Sequence, residues 1–305
     1  LRVEGRADGI FTQNEKICID EIKGVYKNLE LLAEPVLVHR AQALCYAWIY
    51  LDDHGLEEID VQMTYVHLDT EMIKRFRETM TREELESWYQ RLLDSYHKWL
   101  SYQMKWREER NRSMEKLEFP FIYRKGQKEM VAGIYHAISR KEQIFIQAPT
   151  GVGKTMSAVF PAVRSIGEGK AETLFYLTAR TITRTVAQDA FEILRKNGLL
   201  FKTVTITAKE KLCFCEKPEC NPETCPYAKG HYDRINDAVY ELWTNEQSFD
   251  RETILRQAEK WQVCPFEMSL DLSVWMDAVI CDYNYVFDPN VYLKRFFGEN
   301  ISGKY

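Results

Sequence analysis

Hydrophobic and polar positions recur with two different periods in the first 120 residues. Residues 1–10 and 16–23 each predict a short strand, and residues 60–68 alternate at every second position, as a half-buried strand does. A helix is predicted from about residue 36 to residue 50. The stretch 71–118 is highly charged, and its apolar residues at helical spacing predict an amphipathic helix that begins near Thr81.

The long helix has two further sequence signals. Its aromatic and aliphatic side chains step by four, four and three, at Trp88, Leu92, Tyr96 and Trp99. This spacing favours a face packed on a core over a platform for stacking bases. The segment beginning at Thr81 and reaching Glu84 is typical of a capping box at a helix start.

The later part of the chain alternates strand-like and helix-like segments. Apolar, β-prone segments are predicted to form strands at residues 143–147, 173–181 and 202–207, and helices are predicted at 127–139 and from residue 156. A further apolar run at 278–281 ends in Asp282, which lacks a following Glu and is therefore not interpreted as a water-activating carboxylate. The overall pattern predicts an α/β fold.

The turn between the strand at 143–147 and the next helix has the composition of a phosphate loop. It reads Ala148-Pro149-Thr150-Gly151-Val152-Gly153-Lys154-Thr155. The two glycines allow backbone N–H groups to surround an anion, and the helix N-terminus adds partial positive charge. Lys154 is predicted to reach the β- and γ-phosphates, and Thr155 to ligate Mg²⁺. A chance glycine-rich turn is the alternative.

Two polar residues lie shortly before this loop. Arg124 and Gln127 could contact an adenine edge, with Phe121 or Tyr123 offering a stacking face. The alternative is that they cap the helix that begins near Gln127. On sequence alone the two interpretations are equally supported.

The segment from Thr178 to Lys211 has seven basic and three acidic residues, whereas the whole chain has a net charge of −5. Hydroxyl and guanidinium groups after a strand suit contacts to a nucleic-acid backbone. Thr178, Arg180 and Arg184 are the predicted DNA-binding residues.

Composition indicates an ordinary soluble protein. The 305 residues are 45% apolar and 29% charged, enough for two domains, with no long apolar run and no visible signal peptide. A cytoplasmic location without membrane contact is expected. Because the first residue is Leu1 and not Met, the chain is expected to be a piece of a longer protein.

Acidic and basic residues of the first strands could form a site. Asp8 ends the first predicted strand, and Glu21 and Lys23 share one face of the second. Such a group can hold a divalent metal and polarise water. Gln42 and Tyr46 lie at i and i+4, on one face of the following helix. The bland alternative is a surface charge cluster on a hairpin.

In its order Asp8, Glu21-Ile22-Lys23 and Gln42-Ala43-Leu44-Cys45-Tyr46, this region resembles the PD-(D/E)XK nuclease core of the RecB-like group. The resemblance implies a Mg²⁺- or Mn²⁺-dependent phosphodiesterase acting on DNA. It implies metal ligation by Asp8 and Glu21 and activation of water by Lys23. Gln42 and Tyr46 would order the substrate.

Five of the eight cysteines, Cys213, Cys215, Cys220, Cys225 and Cys264, fall within about fifty residues. Four thiolates can hold zinc or an iron–sulfur cluster, and spacing alone does not choose between them. Free buried thiols are the third possibility.

Together with the phosphate loop, these cysteines resemble those of the XPD/DinG-like iron–sulfur helicases. The matching segments, in order, are Tyr123-Arg124-Lys125-Gly126-Gln127, 148–155, Leu177-Thr178-Ala179-Arg180-Thr181, Lys211-Leu212-Cys213, Cys225-Pro226-Tyr227 and Cys264-Pro265-Phe266-Glu267. The resemblance implies a [4Fe-4S] cluster on Cys213, Cys220, Cys225 and Cys264, with Cys215 as a possible replacement for Cys213.

The resemblances predict four parts: a PD-(D/E)XK nuclease-like α/β domain with a helical extension (1–118), the start of a RecA-like motor domain with a parallel sheet (119–212), a mainly helical iron–sulfur domain (213–266), and a return to the motor that ends before its DEAH box (267–305). The predicted function is an ATP-dependent superfamily 2 DNA helicase, translocating 5′→3′ on single-stranded or branched DNA as a monomer, fused to a nuclease. This piece is expected to hydrolyse ATP poorly.

Two other functions remain open from the sequence. The first is a non-catalytic DNA-binding module with a degenerate nuclease fold and a cluster used for recognition. The second is a zinc-bearing nucleotide-binding protein that acts on something other than DNA.

Overall fold

The computed structural model describes residues 5–26, 28–179, 181–216 and 219–298, with backbone only at 181–182. The chain divides into two compact units, Leu1–Leu100 and Ser101–Tyr305. This division falls inside a long helix, whereas the sequence suggested a boundary near Glu118. Both units combine helices with a sheet, so the predicted α/β class is confirmed.

The first unit contains one four-stranded sheet. Its elements are β1 (Gly9–Gln13), β2 (Lys16–Val25), α1 (Leu37–His54), β3 (Glu58–His67) and β4 (Ile73–Thr81). The strand order is β1-β2-β3-β4; β2 and β3 pair in parallel, and the two outer pairs are antiparallel. The parallel pair requires a crossover, which α1 supplies.

The first predicted strand is displaced in the structure. It was expected over residues 1–10 but runs from Gly9 to Gln13, and residues 1–4 lie outside the described ranges. The pairing explains this position, because Gly9 to Gln13 lie opposite Asp20 to Lys16 across the tight turn at Asn14 and Glu15. Asp8 therefore precedes β1.

The predicted helix of the charged stretch 71–118 begins at its capping box, and a strand that the sequence did not predict precedes it. Residues Ile73–Thr81 form β4, an edge strand with strict alternation of exposed and half-buried positions, and α2 occupies Arg82–Glu115. The apolar residues of β4, Ile73, Phe76 and Met80, do not recur at every second position, so its sequence shows no strand period although its burial alternates. The capping box is confirmed, because Thr81 N donates to Glu84 Oε2 at 2.9 Å.

The aromatic stripe predicted on α2 is buried only in part. Leu85 and Trp99 are buried, but Leu92 and Tyr96 are each more than two fifths exposed. The expectation of a continuous core face was therefore wrong for the middle of the helix. The core of this unit lies instead between α1 and the sheet, where Ala43, Leu44, Ala47 and Leu51 meet Ile19, Val61 and Met63.

The second unit is a parallel sheet with helices. Its elements are α3 (Gln127–Arg140), α4 (Lys154–Gly167), β5 (Leu174–Thr178), α5 (Thr181–Lys196), β6 (Thr203–Thr205), α6 (Lys209–Leu212), α7 (His231–Asn245), β7 (Ser248–Phe249), α8 (Arg251–Trp261), α9 (Pro265–Ser273), β8 (Ala278–Asp282), α10 (Asn284–Phe287) and α11 (Lys294–Phe297). The strand order is β5-β8-β6-β7, with all pairs parallel. Helices α4 and α5 supply much of the core against β8.

The strand predicted at 143–147 is absent. This segment has no assigned strand, and Phe145 is 95% exposed, with Ile144 and Ile146 also open to solvent. A β-prone sequence becomes a strand only when a neighbouring backbone pairs with it, and none of the described strands lies against these residues. The phosphate loop therefore follows an extended segment and not a sheet strand.

A buried carboxylate joins the end of α2 to this sheet. Asp277, which is 3% exposed, accepts from Arg110 Nη1 at 2.5 Å, from Trp106 Nε1 at 3.0 Å and from the backbone N–H of Lys202 at 2.8 Å. These three bonds satisfy a charge that would otherwise be costly to bury. They fix α2 to the starts of β6 and β8.

Candidate functional site

The acidic and basic residues of the first unit meet on the α1 side of the sheet. Lys23 donates to Glu21 on the same strand, and the Asp8 carboxylate accepts from Ile22 N at 2.9 Å. The hydrogen bond to Glu21 raises the pKa of Lys23, and the negative charges of Glu21 and Asp8 act in the same direction. Glu21 is 1% exposed, and among the described residues its Oε2 has no hydrogen-bond partner.

The two predicted substrate-ordering residues of α1 lie in the same neighbourhood. Gln42 Nε2 donates to Tyr46 OH at 3.1 Å. Gly5 passes against the Tyr46 ring so closely that an added Cβ would lie 2.3 Å from Cε1. Tyr46 also acts electrostatically on Lys23 and raises its pKa, so the α1 pair lies near the Glu21–Lys23 pair.

The described residues include no group of three or more His, Cys, Asp or Glu side chains arranged to hold a metal ion. Asp8 and Glu21 supply two carboxylates, and one of these, Glu21, is already bonded to Lys23. The unpartnered Glu21 Oε2 is the one orphaned acceptor that fits a cation here. Metal ligation by this pair remains a prediction.

The phosphate loop has the backbone that its glycines were predicted to supply. Gly151 has φ +82° and Gly153 φ +74°, a left-handed region that favours glycine, and α4 begins at Lys154. Lys154 Nζ donates to the carbonyls of Ala148 at 3.1 Å and Pro149 at 2.8 Å, so the side chain lies across the loop. Thr150 and Lys154 are exposed, and Thr155 is half-buried at the helix start.

Arg124 and Gln127 both contact this loop. Arg124 donates to the carbonyl of Gly151, and its own backbone N–H bonds to Gln127 Oε1 at 3.0 Å. A Cβ on Gly153 would lie 2.7 Å from Gln127 Nε2, so the buried amide fills the space beside that glycine. Of the two interpretations, the structure shows the helix-start and loop-supporting role. Adenine contact stays a prediction.

Two of the three predicted DNA-binding residues have buried side chains. Arg184 is buried, pairs with Asp282 and donates to the carbonyl of Ile206 at 3.3 Å. Thr178 is also buried. Contact of either residue with DNA stays a prediction. Arg180 lies outside the described residues.

Other basic residues of the same segment are structural as well. Arg195 donates to the carbonyls of Phe201 at 3.0 Å and Gln247 at 3.0 Å, joining α5 to the strands. Lys202 is 1% exposed, donates to the carbonyls of Trp243 and Glu246, and lies 4.3 Å from the Trp106 ring centroid. Arg184, Arg195 and Lys202 therefore do not contribute to a basic surface, whereas Lys196 and Lys211 are exposed.

Burial lowers the pKa of Lys202 to about 8, against the opposing influence of Asp277 and Glu246. Between about pH 8 and pH 10.5 the unfolded chain therefore holds a proton that the native chain has released, so stability rises with pH in this window. Relative to the non-titrating variant Lys202→Met, the wild type should gain about 2 kcal/mol in unfolding free energy between about pH 7.5 and pH 9.5. Urea denaturation at several pH values measures the difference. A difference that is flat with pH would contradict the buried, partly deprotonated lysine.

All five clustered cysteines line one cavity of about 250 Å³ in the second unit. It lies between the ends of α6, α7 and α9. Cys215 Sγ and Cys225 Sγ are 3.9 Å apart, and all of the described cysteines are free thiols. The structure thus brings together every sequence-predicted cluster ligand, with Cys215 among them.

Hydrogen-bond donors surround these thiols. Cys264 precedes α9, and the backbone N–H groups of Phe266 and Glu267 donate to its sulfur. Burial raises the pKa of Cys264, and these two amides act in the opposite direction. Lys209 bonds to Cys220, and this hydrogen bond raises the lysine pKa. Amide and ammonium donors of this kind stabilise thiolates.

Five thiols line one cavity, and an iron–sulfur cluster there stays a prediction. Within the described ranges no group of three or more His, Cys, Asp or Glu side chains is arranged to hold a metal ion. An iron–sulfur cube needs its ligands spread around a volume, and it is held by cysteines alone. The residues present are therefore compatible with a cluster, and the choice between Cys213 and Cys215 stays open.

A groove of about 550 Å³ adjoins this cavity, and the sequence analysis did not anticipate it. Lys209 and Phe266 line both spaces. The groove's other walls include Tyr285, Tyr292, Lys294 and Arg295. The sequence signal was present as two basic residues following closely spaced tyrosines, a combination suited to stacking bases beside phosphates.

Two family models match the second unit. Residues 124–220 match the DEAD/DEAH box helicase family, and residues 196–299 match the family described as DEAD_2. The first match contains the phosphate loop, and the second contains all five clustered thiols as well as the groove residues. Cys213, Cys215 and Cys220 lie where the two matches overlap.

Two curated proteins that are named as helicases are also similar to this chain. The chain is 22% identical over 223 residues to the regulator of telomere elongation helicase 1 homolog of Caenorhabditis briggsae and 22% over 219 residues to that of Caenorhabditis elegans. These alignments cover 59% and 57% of the chain. The chain spans only 22% of the length of each of these curated relatives.

A solved structure described as truncated XPD is 15% identical and aligns with a TM-score of 0.39, over 54% of this chain and 47% of the other. At that score we draw no argument from it. The family matches and the two relatives together show that residues 124–299 are similar to DEAD/DEAH box helicases.

Proposed function

We propose that this chain is part of an ATP-dependent DNA helicase that carries an iron–sulfur cluster and a fused metal-dependent nuclease domain. The observation that carries the helicase part is the loop at 148–155. There, two glycines with positive φ precede a helix that begins at Lys154, inside the stretch that matches DEAD/DEAH box helicases. Translocation 5′→3′ and a cytoplasmic location are parts of the proposal that rest on the sequence resemblance.

Different residues of the loop would contact different parts of a bound nucleoside triphosphate. The N–H groups at the start of α4 and the helix dipole face the phosphates. Lys154 exchanges its bonds to Ala148 and Pro149 for phosphate oxygens, so its present position keeps the ammonium near the site. Thr155 supplies a hydroxyl to the Mg²⁺ that accompanies the nucleotide. Arg124 and Gln127 keep the loop in shape.

Removing the lysine tests this assignment. Lys154→Ala should weaken binding of a fluorescent ATP analogue by about 10- to 100-fold, because a charge-assisted hydrogen bond contributes about 1.5–3 kcal/mol. Fluorescence anisotropy with Mg²⁺ measures the affinity. Lys170→Ala, which removes a lysine that follows the C-terminal end of α4, is the control and should bind as the wild type does. Equal affinity in the wild type, Lys154→Ala and Lys170→Ala would contradict the proposed nucleotide site.

The cluster is proposed on the cysteine cavity. When bound, a [4Fe-4S] cluster would crosslink the segments that carry its ligands and could accept one electron. Cys213, Cys220, Cys225 and Cys264 would hold it, with Cys215 as the possible replacement for Cys213. The amides of Phe266 and Glu267 and the Lys209 ammonium would offset the thiolate charge.

DNA is proposed to follow the adjoining groove. Lys209, Lys294 and Arg295 offer positive charge, and Tyr285 and Tyr292 offer rings. This adds groove residues to the buried Arg184 and Thr178 as the proposed contacts, while the partner, single-stranded or branched DNA, is unchanged. The described helices include none with the length and apolarity that crossing a membrane requires.

A nuclease site is proposed in the first unit. Asp8 and Glu21 would hold Mg²⁺ or Mn²⁺, and Lys23, released from Glu21 by the metal, would orient or activate water. Gln42 and Tyr46 would order the DNA strand from α1. The juxtaposition of these five residues favours this function over a surface charge cluster.

Cleavage of labelled single-stranded DNA with Mn²⁺ tests the nuclease. Asp8→Ala and Lys23→Ala should each lower the rate by about 10²- to 10⁴-fold, the range expected for general acid–base and metal contributions. Asp69→Ala and Lys16→Ala, at exposed positions of the same unit, are the matched controls. DNA binding without metal-dependent cutting would instead favour the non-catalytic binding module.

A further inference from the structure

A single histidine lies in the wall of the cysteine cavity. His231 is the first residue of α7, follows the N-cap glycine Gly230, and is 4% exposed. It lines the cavity together with the five thiols. None of the predicted roles in the sequence used it, because a lone histidine between Cys225 and Cys264 has no motif of its own.

The hydrogen bonds of His231 define where its proton lies. The backbone N–H of Cys264 donates to Nδ1 at 3.2 Å, so Nδ1 acts as an acceptor. In every charge state compatible with that bond, Nε2 carries a hydrogen. The bond also links the histidine ring directly to a residue proposed to ligate the cluster.

The Nε2–H group is a buried donor without an acceptor. Its solvent exposure is below 1 Å², and none of the described residues accepts its hydrogen. A donor left in this state costs about 1–3 kcal/mol, and buried polar groups nearly always have a partner. The surroundings offer sulfur, since the cavity wall around His231 contains five cysteines.

We propose that His231 Nε2–H donates a hydrogen bond to a sulfur of the bound cluster, either an inorganic sulfide or a cysteine thiolate. His231 is then a positioning residue that holds Cys264 through Nδ1 and stabilises the reduced cluster through Nε2. This inference rests on the cluster of the proposed function. Hydrogen bonds to the sulfurs raise the reduction potential because they stabilise the added negative charge.

Two amide variants separate the functions of the two ring nitrogens. In His231→Asn the side-chain oxygen can replace Nδ1 as the acceptor for Cys264 N–H, but no donor reaches the position of Nε2. In His231→Gln the longer side chain places an N–H donor near that position. His231→Leu removes both nitrogens and keeps the apolar volume.

The measurement is the midpoint potential of the cluster in the full chain, reconstituted with iron and sulfide without oxygen and titrated with dithionite under electron paramagnetic resonance. His231→Asn and His231→Leu should lower the equilibrium constant for one-electron reduction by about tenfold, which is about 59 mV. His231→Gln should restore the potential to within about threefold of the wild type in that constant. Iron content is measured on every sample.

A spectroscopic test follows the same bond directly. In protein with ¹⁵N-labelled histidine, pulsed resonance on the reduced cluster should show a weak nitrogen coupling that disappears in His231→Gln. A strong coupling would mean that His231 is a ligand, and no coupling would mean that it is not bonded to the cluster. Either result overturns the proposal.

The remaining outcomes also decide the question. Equal potentials in all iron-loaded variants, or equal shifts in all three without rescue by Gln, overturn the hydrogen bond and leave the cluster in place. A wild-type chain that takes up no iron removes the cluster of the proposed function, and this inference with it.

Discussion

Cys264→Ser should reduce the iron bound per chain by about tenfold or more after anaerobic reconstitution, and should abolish the brown absorbance of thiolate-bound iron. The reason is that Cys264 is a proposed ligand held in place by several contacts. It precedes α9, receives the amide hydrogens of Phe266 and Glu267, and is fixed by His231 through its own backbone N–H. A hydroxyl in its place is a poor ligand for iron.

The chain offers a matched control for this experiment. Cys45 is a half-buried thiol on α1 in the first unit, remote in sequence from the cysteine cavity. Cys45→Ser should therefore bind as much iron as the wild type. Iron is measured by a colorimetric assay and the charge-transfer band by absorbance.

Cys213→Ser and Cys215→Ser, made separately, decide the alternative that both sequence and structure leave open. Loss of iron in one variant and retention in the other identifies the ligand. Stoichiometric zinc without colour in the wild type would contradict the cluster and favour the zinc-bearing alternative.

Sequence alone predicted the features that depend on local backbone chemistry. The positive φ angles of Gly151 and Gly153, the helix start at Lys154 and the capping box at Thr81 all follow from residues close together in the chain. The convergence of the cysteines on one cavity was also anticipated, because thiols clustered in sequence rarely have another use in a chain without disulfides.

Local sequence could not predict which basic side chains face solvent and which are buried. Charge counting suggested an outward patch, but Arg184 pairs with Asp282 and Lys202 lies among aromatic rings beside Asp277. Asp282 is the last residue of β8, and Asp277 directly precedes this strand. Each carboxylate lies some seventy or more residues after its basic partner in the chain. Only the strand order β5-β8-β6 brings them into contact, and that order is not visible in any local pattern.

The same reasoning explains one predicted strand that is absent and one strand that was not predicted. Residues 143–147 have strand propensity without a partner, and β4 has a partner, β3, despite a composition that resembled a charged helix. In both cases pairing overrode propensity. The groove beside the cysteine cavity was missed for a related reason, since its walls come from α6, α9 and the segment after β8.

Asp277→Ala should lower the unfolding free energy of the second unit by about 3–5 kcal/mol, the effect of removing one partner from a buried ion pair. Arg110 would keep its charge at a position only 8% exposed, and its Nη1 would lose its carboxylate. Trp106 Nε1 and the backbone N–H of Lys202 would lose their acceptor as well. Each buried donor left unpaired adds to the cost.

Asp271→Ala is the matched control. It removes an aspartate that pairs with Arg295 at 2.7 Å, but both side chains are about one third exposed. Such a pair contributes about 0–1 kcal/mol, so this variant should unfold close to the wild type. Urea denaturation followed by tryptophan fluorescence measures both, since Trp106 and Trp243 lie near Lys202.

A double variant isolates the charge. Asp277→Ala with Arg110→Met removes the guanidinium while keeping the lost volume at position 277, and it should recover part of the stability that Asp277→Ala alone loses. That recovery would show that the stranded guanidinium, and not the lost volume, carries most of the cost. Equal losses in Asp277→Ala and Asp271→Ala would contradict the buried junction between α2 and the sheet, because an exposed pair and a buried one cannot be worth the same.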